Sequence, residues 1–290
     1  MASLDSPVPA EGDGSSRVRE FAFDDEDFVA ISTWVKGATG IHLPRQKREL
    51  VYGRLAVRLR ALGLRSFREY RQIVATDPEE QGRLCNAITT NLTSFFREPH
   101  HFEHLRNQVL PAFLQKGGPR RLRIWSAGCA SGEEAYSIAM ILLESLPGLP
   151  DQDVRILATD VDSDVLATAA AGHYAAERMK GLSDGRVRRF FTEVKERGRA
   201  VHVVRPELRR LVTFRQLNLM QSLPMSGPLD AIFCRNTVIY FSEPIRDELH
   251  TRLADALRPG GYLVIGSTER VSQPTALRLT SKQPFIYRKS

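Results

Sequence analysis

Two adjacent carboxylates, Glu133 and Glu134, stand where an apolar run turns into a helix, in Ile124-Trp-Ser-Ala-Gly-Cys-Ala-Ser-Gly-Glu-Glu-Ala-Tyr-Ser-Ile-Ala-Met140. Gly128, Ala130, Ser131 and Gly132 remove side-chain bulk from the turn, so backbone can approach a ligand as it does in nucleotide-binding turns. A pyrophosphate seeks a helix N-terminus free of acids; two anions there suit a cationic ligand such as S-adenosylmethionine. A further acid, Asp160, closes the run Arg155-Ile-Leu-Ala-Thr-Asp160, which reads as the next parallel strand. A carboxylate at that strand end can accept hydrogen bonds from both hydroxyls of a ribose. The same turn also fits a nucleotide-free α/β domain whose glycines only shape the chain.

The elements that must position these groups divide the chain. Residues 1–19 are rich in Ser, Pro, Gly and acids and predict a disordered tail. Residues 20–114 predict a small all-helical domain: Phe28, Ile31, Trp34 and Val35 recur at helical spacing, and a third helical segment surrounds Phe67, Tyr70, Ile73 and Val74. Between them lies a segment dense in arginine, predicted to be a helix with Lys47, Arg54, Arg58 and Arg65 on one face and Val51, Leu55, Leu59 and Leu62 as its apolar stripe. Lys116-Gly-Gly-Pro-Arg120 marks a linker over 115–121.

Residues 122–290 alternate strands and helices, with strands expected at 122–126, 154–159, 211–215, 229–234, 261–266 and 284–288. The fold class is therefore α/β: a helical domain followed by a doubly wound, Rossmann-like sheet. A hairpin, Phe190–Val194 with Ala200–Val204 around Arg197-Gly-Arg199, predicts a small β insertion over about 186–206. Pro259-Gly-Gly261 is expected to end one helix and launch the strand Tyr262–Ile265.

Composition narrows the classes. The 290 residues are 42% hydrophobic and 26% charged, ordinary for a globular protein. No apolar run is long enough to span a bilayer and the N-terminus lacks a basic start with an apolar stretch, so a cytoplasmic protein is expected. Cys85, Cys129 and Cys234 are too scattered for a disulfide framework or a zinc site. His100 and His104 lie one helical turn apart, but no acid or Cys is placed to complete a ligand set, and no metal is expected. The net charge of +7 favours an acidic partner.

The most specific sequence is Thr89-Thr-Asn-Leu-Thr-Ser-Phe-Phe-Arg-Glu-Pro-His-His-Phe102. Together with Ser126-Ala-Gly-Cys-Ala-Ser-Gly-Glu-Glu-Ala-Tyr-Ser137, Ala158-Thr-Asp-Val-Asp162 and Phe233-Cys-Arg-Asn-Thr-Val-Ile-Tyr-Phe241, it resembles the bacterial chemotaxis receptor methyltransferases, the CheR family. The resemblance covers nearly everything after residue 20, with four motifs in family order.

It implies methyl transfer from S-adenosylmethionine to glutamate carboxylates on the cytoplasmic helices of methyl-accepting chemoreceptors, giving glutamyl methyl esters and S-adenosylhomocysteine. It also implies that Asn91, Thr93, Arg97, Gly128, one or both of Glu133 and Glu134, Asp160, Asn218, Leu219, Arg235 and Asn236 meet the cofactor. A glutamate is already ionised at neutral pH, its ordinary pKa being about 4.3, so no general base is needed and alignment is the task. Arg97 and Tyr240 are the candidates for positioning the acceptor carboxylate. The resemblance further implies docking of the receptor bundle through Arg54 and Arg58, recruitment to membrane-bound receptor arrays, and pairing of the β insertion with a receptor tail peptide. A monomer suffices for all of this.

Two rival classes differ in sequence features. Methylases of nucleic acid would suit the positive charge, but Asn236-Thr-Val-Ile-Tyr240 lacks the paired prolines of adenine-amino methylases and no Pro-Cys is present for attack on cytosine, so no nucleic-acid partner is expected. A cofactor-binding sensor without turnover would keep the same turn.

Overall fold

The computed structural model describes residues 19–114, 121–146, 153–225 and 227–290. The expected tail, apart from its last residue, and the expected linker, apart from Arg121, fall outside the described residues.

The N-terminal part is built from α1 (Asp25–Thr39), α2 (Arg48–Leu62), α3 (Phe67–Thr76) and α4 (Pro78–Ile88). Polar caps set the helix starts. Asp24 accepts from the Asp27 N–H, Ser66 from Glu69, and Asp77 from Glu79 and Glu80, with Pro78 in the first turn of α4. Gly63 ends α2 in the left-handed region (φ 67°). Arg65 therefore lies beyond the helix and does not share the face of Arg54 and Arg58. Val51, Leu55 and Leu59 enter the core with Phe28, Val35, Phe67 and Tyr70, whereas Leu62 stays exposed.

The two arginines expected to dock a partner are committed inside this domain. Arg58 holds the buried Glu80 through two bonds, Nε to Oε1 at 3.0 Å and Nη2 to Oε2 at 2.6 Å, and the Tyr70 hydroxyl adds a third at 3.0 Å. Arg54 Nη1 donates to the carbonyls of Ala87, Ile88 and Thr89 at 3.2, 2.7 and 2.7 Å. These acceptors are the carbonyls that the end of α4 leaves without helical partners.

Helical structure resumes in α5 (His100–His104), passes through a π turn at Leu105–Val109 and ends in α6 (Leu110–Leu114). The division expected at residue 114 shifts here, because Phe95, Phe102, Leu105, Val109 and Leu110 pack in the core of the sheet and not with α1–α4. The packing boundary lies near Thr89.

Ten strands follow among the described residues. They are β1 (Arg121–Ala127), β2 (Asp153–Asp160), β3 (His173–Ala175), β4 (Phe191–Glu196) and β5 (Arg199–Val204), then β6 (Val212–Gln216), β7 (Leu229–Cys234), β8 (Leu257–Ile265), β9 (Leu279–Gln283) and β10 (Ile286–Lys289). Seven of them form a sheet in the order β6-β2-β1-β7-β8-β10-β9. Strands β6 to β8 along this order pair in parallel, and β10 and β9 close the edge antiparallel. Helices α7 (Glu133–Ser145), α8 (Ser163–Ala171) and α9 (Glu243–Ala256) connect its strands.

Strand β8 begins at Leu257 and runs through Pro259-Gly260-Gly261, earlier than expected. The register against β7 shifts between Leu229 and Ala231, which accommodates the proline as a bulge does. The expected hairpin is present as β4 and β5, turned by Arg197 and Gly198 in left-handed conformation (φ 48° and 78°). Strands β3 and β9, both without a sequence signal of their own, extend the small and the large sheet respectively.

Replacing Arg58 with Ala leaves the Glu80 carboxylate buried without its ionic partner. The variant is expected to lose on the order of 3 kcal/mol of stability in urea unfolding, whereas Arg58→Lys retains part of it.

Candidate active site

Parallel strands end together at one edge of the sheet, and their carboxyl ends, with the 89–97 segment and the end of α1, enclose a cavity of about 910 Å³ including its open mouth. Asn91, Thr93, Arg97, Gly128, Glu134, Asp160, Asn218, Leu219, Arg235, Asn236 and Tyr240 all line it.

The first wall is the turn after β1. Gly128 takes φ 83°, and a Cβ there would overlap the Thr237 hydroxyl, so the loop closes only around glycine. Gly132 takes φ 94° at the start of α7, and its Cβ would lie 2.8 Å from that of Ala169. Asp160, at the end of β2, accepts from the Ala130 N–H at 2.8 Å and the Asp162 N–H at 3.0 Å. Burial pushes its carboxyl up despite these donors.

Glu134 and Glu133 part company on α7. Glu134 faces the cavity, takes the Ser126 hydroxyl at 2.6 Å and pairs with Arg235 Nη1 at 2.9 Å. Burial pushes its carboxyl up, against the pull of Arg235 and Ser126. Glu133 is fully buried away from the cavity, bound by Arg178 at 2.8 Å and the Ser131 hydroxyl at 2.8 Å. Of the expected site residues, Glu133, Arg54 and Arg58 are thus the ones that the fold does not bring to the cavity.

Arg235 is the centre of a buried network. Besides Glu134 it reaches Glu98 Oε2 at 3.2 Å and the carbonyl of Arg97. Glu98 also accepts the Ser267 hydroxyl at 2.9 Å. Burial would raise the Glu98 carboxyl, but Arg235 and Ser267 outweigh it and hold the group below its ordinary range. The peptide between Phe96 and Glu98 is bent by two left-handed residues, φ 52° and 58°, and Arg97 Nη1 donates to Leu92 O at 2.9 Å.

Several supporting residues carry little sequence signal. Glu269, buried, accepts the Asn236 and Val238 N–H groups, each at 3.0 Å, and thereby shapes the loop that holds Asn236 (φ 55°) and Tyr240. Asp162 caps α8 and accepts Thr89 Oγ1 at 2.8 Å and Asn91 Nδ2 at 2.7 Å. Its cap position before Ser163 is legible in sequence; its grip on the 89–91 segment is not. Thr39 and Ile41 line the cavity from the helical domain. No group of three or more His, Cys, Asp or Glu that could hold a metal occurs among the described residues. The three cysteines are free, and burial pushes the thiols of Cys129 and Cys234 well up.

Comparison with known proteins agrees with this geometry. The family model "CheR methyltransferase, SAM binding domain" matches residues 91–286, and "CheR methyltransferase, all-alpha domain" matches 26–89. The chain belongs to the CheR methyltransferase family.

Among CheR relatives, "Chemotaxis protein methyltransferase 2" of Pseudomonas aeruginosa is 43% identical over 265 residues, 91% of this chain and 91% of that protein. The Escherichia coli "Chemotaxis protein methyltransferase" is 38% identical over 269 residues, 92% of this chain and 91% of the relative. The cavity of this CheR chain fits S-adenosylmethionine. Asp160 and Glu134 retain lone pairs toward it, their burial favours a cationic or hydroxyl-rich ligand, and Gly128 keeps its floor open.

Buried histidines make this protein's fold acid-sensitive. Burial, aided by the charge of Arg235, lowers His101 from its ordinary 6.5 to about 3, and burial also lowers His104 and His250. Each binds its proton more readily in the unfolded chain, so stability falls as pH drops below 6.5 and continues to fall toward 3. His101→Gln is expected to lose less of its urea midpoint than the unmodified protein when pH falls from about 7.5 to about 5.

Proposed function

We propose that this chain transfers the methyl group of S-adenosylmethionine to glutamate side chains on the cytoplasmic domains of chemoreceptors, releasing S-adenosylhomocysteine, in sensory adaptation. The observation that carries the reading is the composition of the cavity: among the described residues no histidine, lysine or cysteine lines it, while Arg97 and Tyr240 do. Such a site has donors for an anionic acceptor and no imidazole, amine or thiol, which suits an acceptor already ionised at neutral pH. The names of the relatives supply the chemotaxis context.

The bound cofactor supplies a methyl group activated on a sulfonium. In this reading Asp160 holds the ribose hydroxyls and Glu134 the methionine ammonium, with Asn91, Thr93, Asn218, Leu219, Arg235 and Asn236 completing the walls. Arg97 and Tyr240 orient the acceptor carboxylate for in-line attack, and Thr39 and Ile41 wall the cavity from the helical domain. Arg97 shares its guanidinium with Leu92 O, which tempers its hold on the carboxylate; a tighter grip on the ground state would slow the reaction.

Docking belongs to the basic face of the helical domain. Because Arg54 and Arg58 bond within that domain, the exposed Lys47, Arg65 and Arg68 are the better placed cations for an acidic receptor bundle. Strand β4, at the edge of the order β3-β5-β4, is available for addition of a receptor tail peptide.

Incubation with methyl-labelled S-adenosylmethionine and receptor-bearing membranes is expected to label the receptor, and mild base to release the label as methanol. Base-stable label, or cofactor binding with no label on any receptor, would overturn the reading. Arg97→Ala is expected to lower kcat about 100-fold and Tyr240→Phe about tenfold in this assay. Asp160→Asn is expected to weaken S-adenosylhomocysteine binding about tenfold in calorimetry.

A further inference from the structure

The segment between α1 and α2 does more than connect two helices. Gly40 ends α1 in the left-handed region (φ 77°), with its Cα turned so that a Cβ would fall on the Met220 sulfur. Ile41 forms an isolated antiparallel bridge with Phe241, and the His42 N–H donates to the Tyr240 carbonyl at 2.8 Å. On the same seam Asn218 Nδ2 donates to Ala38 O at 2.6 Å.

Tyr240 has little else to hold its backbone from this side. It lies in a short 3-10 turn, Val238–Tyr240, after the left-handed Asn236. Glu269 secures the beginning of that turn through the Asn236 and Val238 N–H groups, but its oxygens do not reach Tyr240 or Phe241. The end of the turn is secured by the helical domain. The His42 side chain is exposed, so its contribution at this seam comes through its N–H.

We infer that the Gly40–His42 segment is a positioning element for Tyr240, and that the helical domain completes the reactive end of the cavity through this backbone pairing. The inference rests on the reading above that Tyr240 orients the acceptor carboxylate. Deleting the His42 N–H releases the Tyr240 carbonyl and lets the phenol drift, while Asp160, Glu134 and Arg235, held by other elements, keep the cofactor end intact. A displacement of about 1 Å at a reacting group costs up to about 100-fold in rate.

Proline at position 42 removes that single donor, and alanine at the same position keeps it. His42→Pro is expected to lower kcat for receptor methylation about tenfold relative to His42→Ala, with the Kd for S-adenosylhomocysteine within about twofold of the unmodified protein. A kcat for His42→Pro within about twofold of His42→Ala would overturn the inference, as would a parallel loss of cofactor affinity, which would mean that the seam supports the whole cavity. Gly40→Ala, whose Cβ would fall on Met220 and push the same segment away, is also expected to lower kcat; unchanged kcat there would count against the inference. Failure of the unmodified protein to label any receptor would instead refute the proposed acceptor, so the two failures are distinguishable.

Discussion

A buried guanidinium organises this molecule. Arg235 is almost wholly removed from solvent, and a charge so placed is tolerated only if its hydrogen bonds and its counter-charge are both provided. Glu134 supplies them from α7, Glu98 from the segment joining the two domains, and the carbonyl of Arg97 adds a third acceptor. Ser267, after β8, ties Glu98 to the far side of the sheet. One cation thus fixes the mutual placement of four chain segments that are distant in sequence, and Glu134, Arg97 and Arg235 itself face the same cavity. Loss of either carboxylate would leave the buried guanidinium short of an acceptor, so the geometry of the cavity and the stability of the fold share a determinant.

Around that cavity the backbone adopts conformations that L residues seldom take. Phe96, Glu98, Ala130 and Asn236 all have positive φ, each costing on the order of 1 kcal/mol or more. Local partners maintain them: Ser137 accepts the Phe96 N–H at 3.0 Å, Asp160 accepts that of Ala130, and Glu269 that of Asn236. The acids Asp160 and Glu269 are costly to bury, but they are the groups that aim these peptides. Cavity geometry and backbone strain therefore reinforce one another: the same Asp160 carboxylate that lines the cavity also shapes the glycine-rich turn.

The helical domain and the sheet meet along two seams that border the cavity. Asp162 gathers Thr89 and Asn91 on one side, and residues 38–42 meet Asn218, Tyr240 and Phe241 on the other. A domain that carries a basic surface is thereby in backbone contact with the end of the cavity that holds Tyr240. Much of its arginine is structural, because the ends of helices and a buried glutamate need donors before a partner does.

Local sequence alone determined the helical and α/β halves, most strands of the sheet and the β4–β5 hairpin, while the resemblance of four motifs to the CheR family pointed to the residues around the cavity. Those features depend on short-range periods of apolar residues, on glycines at a turn, and on motifs read within a few positions. Tertiary structure placed Glu134 and not Glu133 at the cavity, since adjacent residues on a helix point about 100° apart and only the packing of α7 tells which faces it. It also assigned the 95–110 segment to the sheet core, turned Arg54 and Arg58 inward, and recruited Glu98, Glu269 and Ile41. Each of these outcomes rests on a partner tens of residues or more away, and burial, which gives a charge or an unpaired N–H its weight, exists only after the chain has folded.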